Sequence, residues 1–317
     1  MVSNLKKVIL LTPEIMHYHK SLKKILEQKK IICQIYSTRK KNYQYQTSNN
    51  QTYLNIFSAL DVIKKNQNFL ICGNSTLKNI FIIFILNFIL KKNYFLLSDS
   101  HNKIKKKETK YILKIIFFKL FMGNVKAVIV PGIKSKNYLK NFFPNKKFYF
   151  FANYPFDFTL LKKNKEIKKK SLQILIVSRW VAEKNLDFTI SELNKFSKKH
   201  TKLKIILNLV TDKTKSFLSE KVIINKNITL KIYNQLNRSS IHILMKKSQL
   251  LIMLSKFEPW GIVIEESGLL KLPSIISNNC GASELAGNNY KGICKLNSNH
   301  FKILLEKFIF DKYTKKN

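Results

Sequence analysis

Short, continuous apolar runs recur along this chain, each followed by a helical stretch, and the series runs twice. The runs of the first half are Val8 to Leu11, Ile31 to Tyr36, Phe69 to Cys72, Tyr94 to Leu97 and Ala127 to Val130. Those of the second half are Leu172 to Val177, Ile205 to Val210, Thr229 to Ile232, Leu250 to Leu254 and Ser274 to Ser277. A strand that is apolar at every position has to be covered on both faces, and strand–helix alternation supplies that cover around a parallel sheet. The pattern predicts an α/β protein of two doubly wound, Rossmann-like domains. Between about residues 160 and 170 the apolar periodicity lapses and lysines accumulate, as in a linker. The expected divisions are 1–158, a basic linker 159–171, and 172–317, with the C-terminal helix able to pack back on the first domain. Two such domains place a ligand cleft at the carboxyl ends of their strands.

With 317 residues, 45% of them hydrophobic, the chain can bury two cores. Its formal charge of +40 points to a nucleic acid, an anionic membrane or a phosphorylated substrate. The lysines are scattered, however, and no RNA-binding or zinc-finger signature accompanies them. The richness in Lys, Asn, Ile, Phe and Tyr also matches the drift of an AT-rich genome, so no nucleic-acid partner is expected. In such a chain arginine is informative, and it occurs only at Arg39, Arg179 and Arg238. Its planar fork on a phosphate or carboxylate is what lysine does not reproduce.

Cys33, Cys72, Cys280 and Cys294 show no CxxC spacing, so neither a zinc site nor a redox pair is expected, and a reduced, cytoplasmic setting is. The N-terminus enters an apolar strand without the pattern of a signal peptide. Ile80 to Leu90 is too short to span a bilayer and reads as a buried or membrane-facing helix; Tyr111 to Met122 is a second segment of this kind.

Two motifs follow predicted strands of the second half. The first, Val177-Ser178-Arg179-Trp180-Val181-Ala182-Glu183-Lys184-Asn185-Leu186, brings a guanidinium and an ammonium into one loop, which suits a diphosphate. A solvated surface loop is the alternative. The second, Ser255-Lys256-Phe257-Glu258-Pro259-Trp260-Gly261-Ile262-Val263-Ile264-Glu265-Glu266, leaves a strand and opens a helix. The amides of Gly261, Ile262 and Val263 then form an anion site at the positive helix end. Glu258 is placed to accept from sugar hydroxyls. Glu266, eight positions later, can reach a ribose diol, while Glu265, about 100° around the helix, faces elsewhere. In the first half, His17, His19 and the cluster Ser98-Asp99-Ser100-His101 follow predicted strands, where an acceptor hydroxyl is oriented. His17, Asp99 and His101 are the acceptor-side candidates, and His200, His242 and His300 read as peripheral.

The two motifs, in this order and separation, resemble the retaining glycosyltransferases of family 4 (glycosyl transferases group 1). That family has the GT-B fold and commonly reads GR-x-x-x-EKG and EPFG-x-x-x-x-EA-x-x-x-G-x-P-V-I-A-S. The resemblance implies that Arg179 and Lys184 bind the donor diphosphate, Glu258 the transferred sugar and Glu266 the nucleotide ribose. Gly281 and Glu284, in Cys280-Gly281-Ala282-Ser283-Glu284-Leu285, resemble the GG-x-x-E segment that closes the donor pocket. Val130-Pro131-Gly132, Tyr138-Leu139 and Asn153-Tyr154-Pro155-Phe156-Asp157 resemble the family's passage from the acceptor domain to the donor domain. Several positions depart from the pattern. Thr12 to His19 carries no glycine where the family has a glycine-rich loop, and Lys271 stands where a glycine ends the motif helix. A left-handed lysine there costs about 1 kcal/mol, or a different turn is used.

The expected function is transfer of a sugar from a UDP- or GDP-linked donor to a saccharide or lipid-linked acceptor, with retention and with neither metal nor cofactor. The expected role is cell-surface polysaccharide or lipopolysaccharide assembly. The expected place is the cytoplasm, with peripheral contact at the inner, anionic face of the membrane. A non-catalytic relative that binds the sugar nucleotide, and a basic nucleic-acid-binding protein, are the alternatives.

Overall fold

The computed structural model describes residues 6–13, 15, 17–38, 53–72, 77–99, 112, 116, 118, 123–151, 171–213, 224–234, 236–287 and 290–314. The chain divides into two compact units, Met1–Phe156 and Asp157–Asn317. The expected linker, apart from Ser171, lies outside the described residues, as do His101 and most of the segment from Tyr111 to Met122.

The first unit is built on a six-stranded sheet of β1 (Lys7–Thr12), β2 (Ile32–Ser37), β3 (Phe69–Cys72), β4 (Tyr94–Leu97), β5 (Val125–Val130) and β6 (Lys147–Phe150). Its order is β2-β1-β3-β4-β5-β6, and every neighbouring pair is parallel. Its described helices are α1 (His17–Gln28), α2 (Ile56–Lys65), α3 (Leu77–Phe84), which runs into a π-helical turn (Ile85–Ile89), and α4 (Ile133–Lys140). Side chains alternate across the sheet as the two-residue period requires. Ile9 and Leu11 of β1 enter one core cluster while Val8 and Leu10 enter the other. Each such side chain contributes about 1.5–3 kcal/mol by leaving water, which is why these strands read as unbroken apolar runs.

The second unit repeats the plan with β7 (Leu172–Val177), β8 (Ile205–Thr211), β9 (Ile228–Asn234), β10 (Leu250–Met253), β11 (Ser274–Ser277) and β12 (Ile293–Cys294), all parallel, in the order β12-β11-β10-β7-β8-β9. Its described helices are α5 (Leu186–Lys199), α6 (Arg238–Lys247), α7 (Ile262–Leu269) and α8 (Ser298–Thr314). The chain goes from β7 outward through β8 and β9, then returns to lay β10 on the other side of β7. That reversal opens a crevice at the carboxyl ends of β7 and β10, the topological switch point of an open α/β sheet.

Several expectations change. The two edge strands β6 and β12 were not anticipated. β6 reads Lys-Phe-Tyr-Phe and is largely exposed, with Phe150 under the Lys136 ammonium, and β12 is two residues long, so neither shows a buried run. The apolar stripe of α8, Phe301, Leu304, Leu305 and Ile309, lies in the second unit's own core. In the segment from Ile80 to Leu90, Ile82, Ile83, Ile85 and Leu86 are buried in the core of the first unit, leaving Phe81, Phe84 and Ile89 exposed. Among the described residues no helix is long and apolar enough to cross a membrane. All four cysteines are buried, and none forms a disulfide. Burial pushes the thiols of Cys33 and Cys294 up to about 11 and that of Cys72 higher still, as in unreactive structural cysteines.

Candidate functional site

Two loops leave the sheet at the switch point of the second unit. The first follows β7. Ser178 continues the ladder by donating its amide to the Val210 carbonyl at 2.9 Å. The chain then turns away, with the Trp180 amide held by Asp212 Oδ1 at 2.7 Å. A 3₁₀ turn over Ala182–Lys184 ends at Asn185, whose φ of 57° and ψ of 37° are left-handed. Asparagine tolerates that region better than other residues with a Cβ, and it stands where the related motif has glycine. Arg179 is exposed, and its guanidinium has no ion-pair partner among the described residues.

The second loop follows β10 and turns into α7 at Gly261, which has φ 96° and ψ 66°. A side chain there is disfavoured twice, by the left-handed backbone and because a Cβ would lie 2.9 Å from Ile264 Cδ1 and 3.2 Å from Glu258 Cγ. Ile264 donates back to the Gly261 carbonyl at 2.8 Å. The amides of Gly261, Ile262 and Val263 make no hydrogen bond among the described residues. Unpaired amides at the positive end of a helix are an anion-binding arrangement.

The backbone joins the two loops. The Glu183 carbonyl accepts the amides of both Lys256 (2.8 Å) and Phe257 (3.2 Å), and Asn185 Nδ2 donates to the Leu254 carbonyl at 3.2 Å. Between them, Lys184 Nζ is paired with the Glu258 carboxylate, both side chains being largely buried. A third loop closes on the second. Gly281 donates to the Glu258 carbonyl at 3.0 Å and Ala282 to the Trp260 carbonyl at 2.8 Å. A Cβ on Gly281 would sit 2.2 Å from the Pro259 carbonyl oxygen. The Gly281 amide is thus engaged within the protein, and this glycine serves the approach of two backbones. Glu284 lies in the 3₁₀ turn Gly281–Leu285 and is partly buried.

Glu266 lies on α7 with no exposed surface. Arg238 Nη2 lies against its Oε1, and His242 Nε2 is 3.3 Å from the same oxygen. Both partners come from α6, whose start is fixed by Asn237, its side chain accepting the Ser240 amide at 2.9 Å. Arg238 is therefore the first helical residue and His242 sits one turn on, over the same neighbour. Burial first, then the charges of Arg238 and Lys246, push the His242 pKa from 6.5 to about 4, so the ring is neutral near pH 7. His242 is not peripheral, as its sequence position suggested, because α6 packs its inner face against α7. Glu265 is also buried.

On the first unit, Asp99 follows β4 and is exposed, and its carbonyl accepts from Ser135 Oγ of α4 at 3.1 Å. His17 opens α1, and its side chain is outside the described residues. Sequence reasoning missed Asn185, Arg238 and His242. Rarity of arginine was the available signal for Arg238, and a non-glycine at a glycine position was the signal for Asn185. Nothing in the sequence marks His242.

An exposed guanidinium, unpaired helix-end amides and the Glu258 carboxylate, all on the loops at the carboxyl ends of β7 and β10, suit a ligand that carries both phosphate charge and hydroxyls. Comparisons with known proteins bear on the family and the fold. Residues 157–314 match the family model described as glycosyl transferases group 1. A probable sucrose-phosphate synthase of Thermosipho melanesiensis is 28% identical over 167 residues, which is 47% of this chain and 40% of that relative's length. Among solved structures, a glycosyltransferase from Rickettsia africae aligns with a TM-score of 0.69 at 15% identity, over 97% of this chain and 89% of its own. Sucrose-phosphate synthase from Thermosynechococcus elongatus aligns at 0.72 and 12% identity, over 97% and 90%. Anabaena HepE in complex with UDP-glucose aligns at 0.64 and 15% identity, over 97% and 90%. At such identities the likeness concerns the fold, which is GT-B. The second unit, which the family model spans from the first residue to within three residues of the last, is thus a glycosyl transferases group 1 domain.

Proposed function

We propose that the protein is a retaining, metal-independent glycosyltransferase that moves a sugar from a UDP- or GDP-linked donor to a saccharide or lipid-linked saccharide. The observation that carries this reading is the junction of the arginine–lysine loop with the glutamate loop at the switch point, with Lys184 paired to Glu258 beside the amide end of α7. In this reading Arg179, Lys184 and the amides of Gly261 to Val263 take the charge that develops on the leaving diphosphate. Preorganised donors of this kind are the strongest electrostatic aid to such a departure. Glu258 accepts from hydroxyls of the transferred sugar and Glu266 from the ribose. Gly281 holds the Glu258 loop, and Glu284 stands beside it in the same turn. The acceptor hydroxyl attacks from the face the diphosphate leaves and gives its proton to the departing phosphate oxygen, so the anomeric configuration is kept. Asp99, His17 and His101 are the acceptor-side candidates.

For the acceptor, exposed Phe81, Phe84 and Ile89 on one helix and a net charge of +40 favour a peripheral seat on the inner, anionic membrane face, and so a lipid-linked saccharide for cell-surface polysaccharide or lipopolysaccharide assembly. UDP is favoured as the donor's nucleotide because HepE, which shares the fold, was solved with UDP-glucose. The test is a screen for UDP or GDP release from several nucleotide sugars, with Arg179→Ala and Glu258→Ala as controls. Release that both substitutions abolish is the expected result, and no release or binding with any donor overturns the reading.

A further inference from the structure

Glu266 has no exposed surface, and a carboxylate taken wholly out of water stays charged only beside a countercharge. Arg238, on the neighbouring helix, supplies such a countercharge. Its Nη2 lies against Glu266 Oε1 and is buried together with Nε, while the side chain as a whole remains 25% exposed. His242 touches the same oxygen and is held neutral, so it adds no second positive charge. The residue type matters as well. The last turn of the same helix carries Lys246 and Lys247, and lysine is what this chain places on helix surfaces throughout. An arginine kept at the helix start indicates a need for the planar fork.

We propose that Arg238 is a positioning residue for the donor: its guanidinium holds the Glu266 carboxylate charged and oriented toward the ribose diol, and so sets a preference for ribonucleotides over 2′-deoxyribonucleotides. The inference rests on the reading of Glu266 as the ribose ligand. An uncharged or rotated Glu266 is a weaker acceptor, and the 2′-hydroxyl is the group whose loss reports it. Lysine at 238 restores charge but not the fork, so it restores the preference in part.

The test is calorimetric binding of UDP, 2′-deoxy-UDP, GDP and 2′-deoxy-GDP to the full chain. It compares the unaltered protein with Arg238→Met, Arg238→Lys, Glu266→Gln and the double variant Arg238→Met/Glu266→Gln. The unaltered protein is expected to favour the ribose form about tenfold or more, the scale of a hydrogen bond to a charged acceptor. Arg238→Met and Glu266→Gln should each bring the ratio to within about twofold by weakening the ribose form more than the deoxy form. A general loss of structure would instead weaken both forms alike. The double variant should match Glu266→Gln. It carries neither charge of this pair, so it keeps that comparison open if Arg238→Met does not melt cooperatively. A full preference in Arg238→Met, or a further loss in the double variant, overturns the role of Arg238 alone. No preference in the unaltered protein overturns the ribose reading of Glu266, and binding of no nucleotide overturns the donor reading itself.

Discussion

Lys271 adopts a φ of 53° where α7 ends. Its amide reaches the Gly268 carbonyl at 3.0 Å, and the Leu272 amide reaches back to Ser267 at 2.8 Å, the pattern of a Schellman end. Of the two outcomes its sequence position left open, the chain takes the left-handed lysine. Lys30 and Lys91, at φ 60° and 45°, do the same after α1 and after the π-helical turn. Glycine is the usual occupant of such positions, and a Cβ there costs about 1 kcal/mol. Lysine at these turns thus carries backbone strain, whereas glycine stands at Gly261 and Gly281, where a Cβ would strike a neighbour. Lys271→Gly should raise stability by about 1 kcal/mol in urea unfolding, without altering donor binding. A second residue makes a pH-dependent contribution. Above pH 6.5 His242 is neutral both folded and unfolded and contributes no pH dependence. Between 6.5 and about 4 only the unfolded chain takes up its proton, so stability falls as pH falls. His242→Gln should flatten that part of the slope, read as the difference in urea midpoint between the two proteins from pH 7 to 4.5.

At the level of elements, helix α2 illustrates a cap supplied from outside its own helix. Asn55 closes its start by accepting the Ser58 amide at 2.7 Å. Its other end is held by Lys92, whose Nζ donates to the carbonyls of Ile63 (2.6 Å), Lys64 (2.9 Å) and Asn66 (2.6 Å). An ammonium on the unsatisfied carbonyls of a helix end opposes the negative end of the dipole. Lys92→Met should lower stability by about 1–2 kcal/mol, seen in chemical unfolding. Such contacts also mark what was legible in the sequence. β3, β4, β7 and β11 run over the residues expected, because strands buried on both faces leave an uninterrupted apolar signature. β6 and β12 left none, being edges with one neighbour. The two motif loops were legible because their residues are close in sequence. The pairing of Arg238 with Glu266 was not, since it depends on how α6 and α7 pack.

At the scale of the whole molecule, each unit carries its own sheet and its own core clusters. Residues 157–317 produced alone should therefore melt as one cooperative transition and keep nucleotide binding while losing transfer, as calorimetry and a donor-release assay would show. A broad, non-cooperative melt would contradict that independence. Within the second unit, one carbonyl has a consequence for redesign. Because Glu183 holds the amides of Lys256 and Phe257 while Asn185 holds Leu254, residues 178–185 and 255–261 form a single graft unit. Transplanting either loop from a relative to change sugar preference would import half of a matched pair, and successful chimeras should be those that exchange both together.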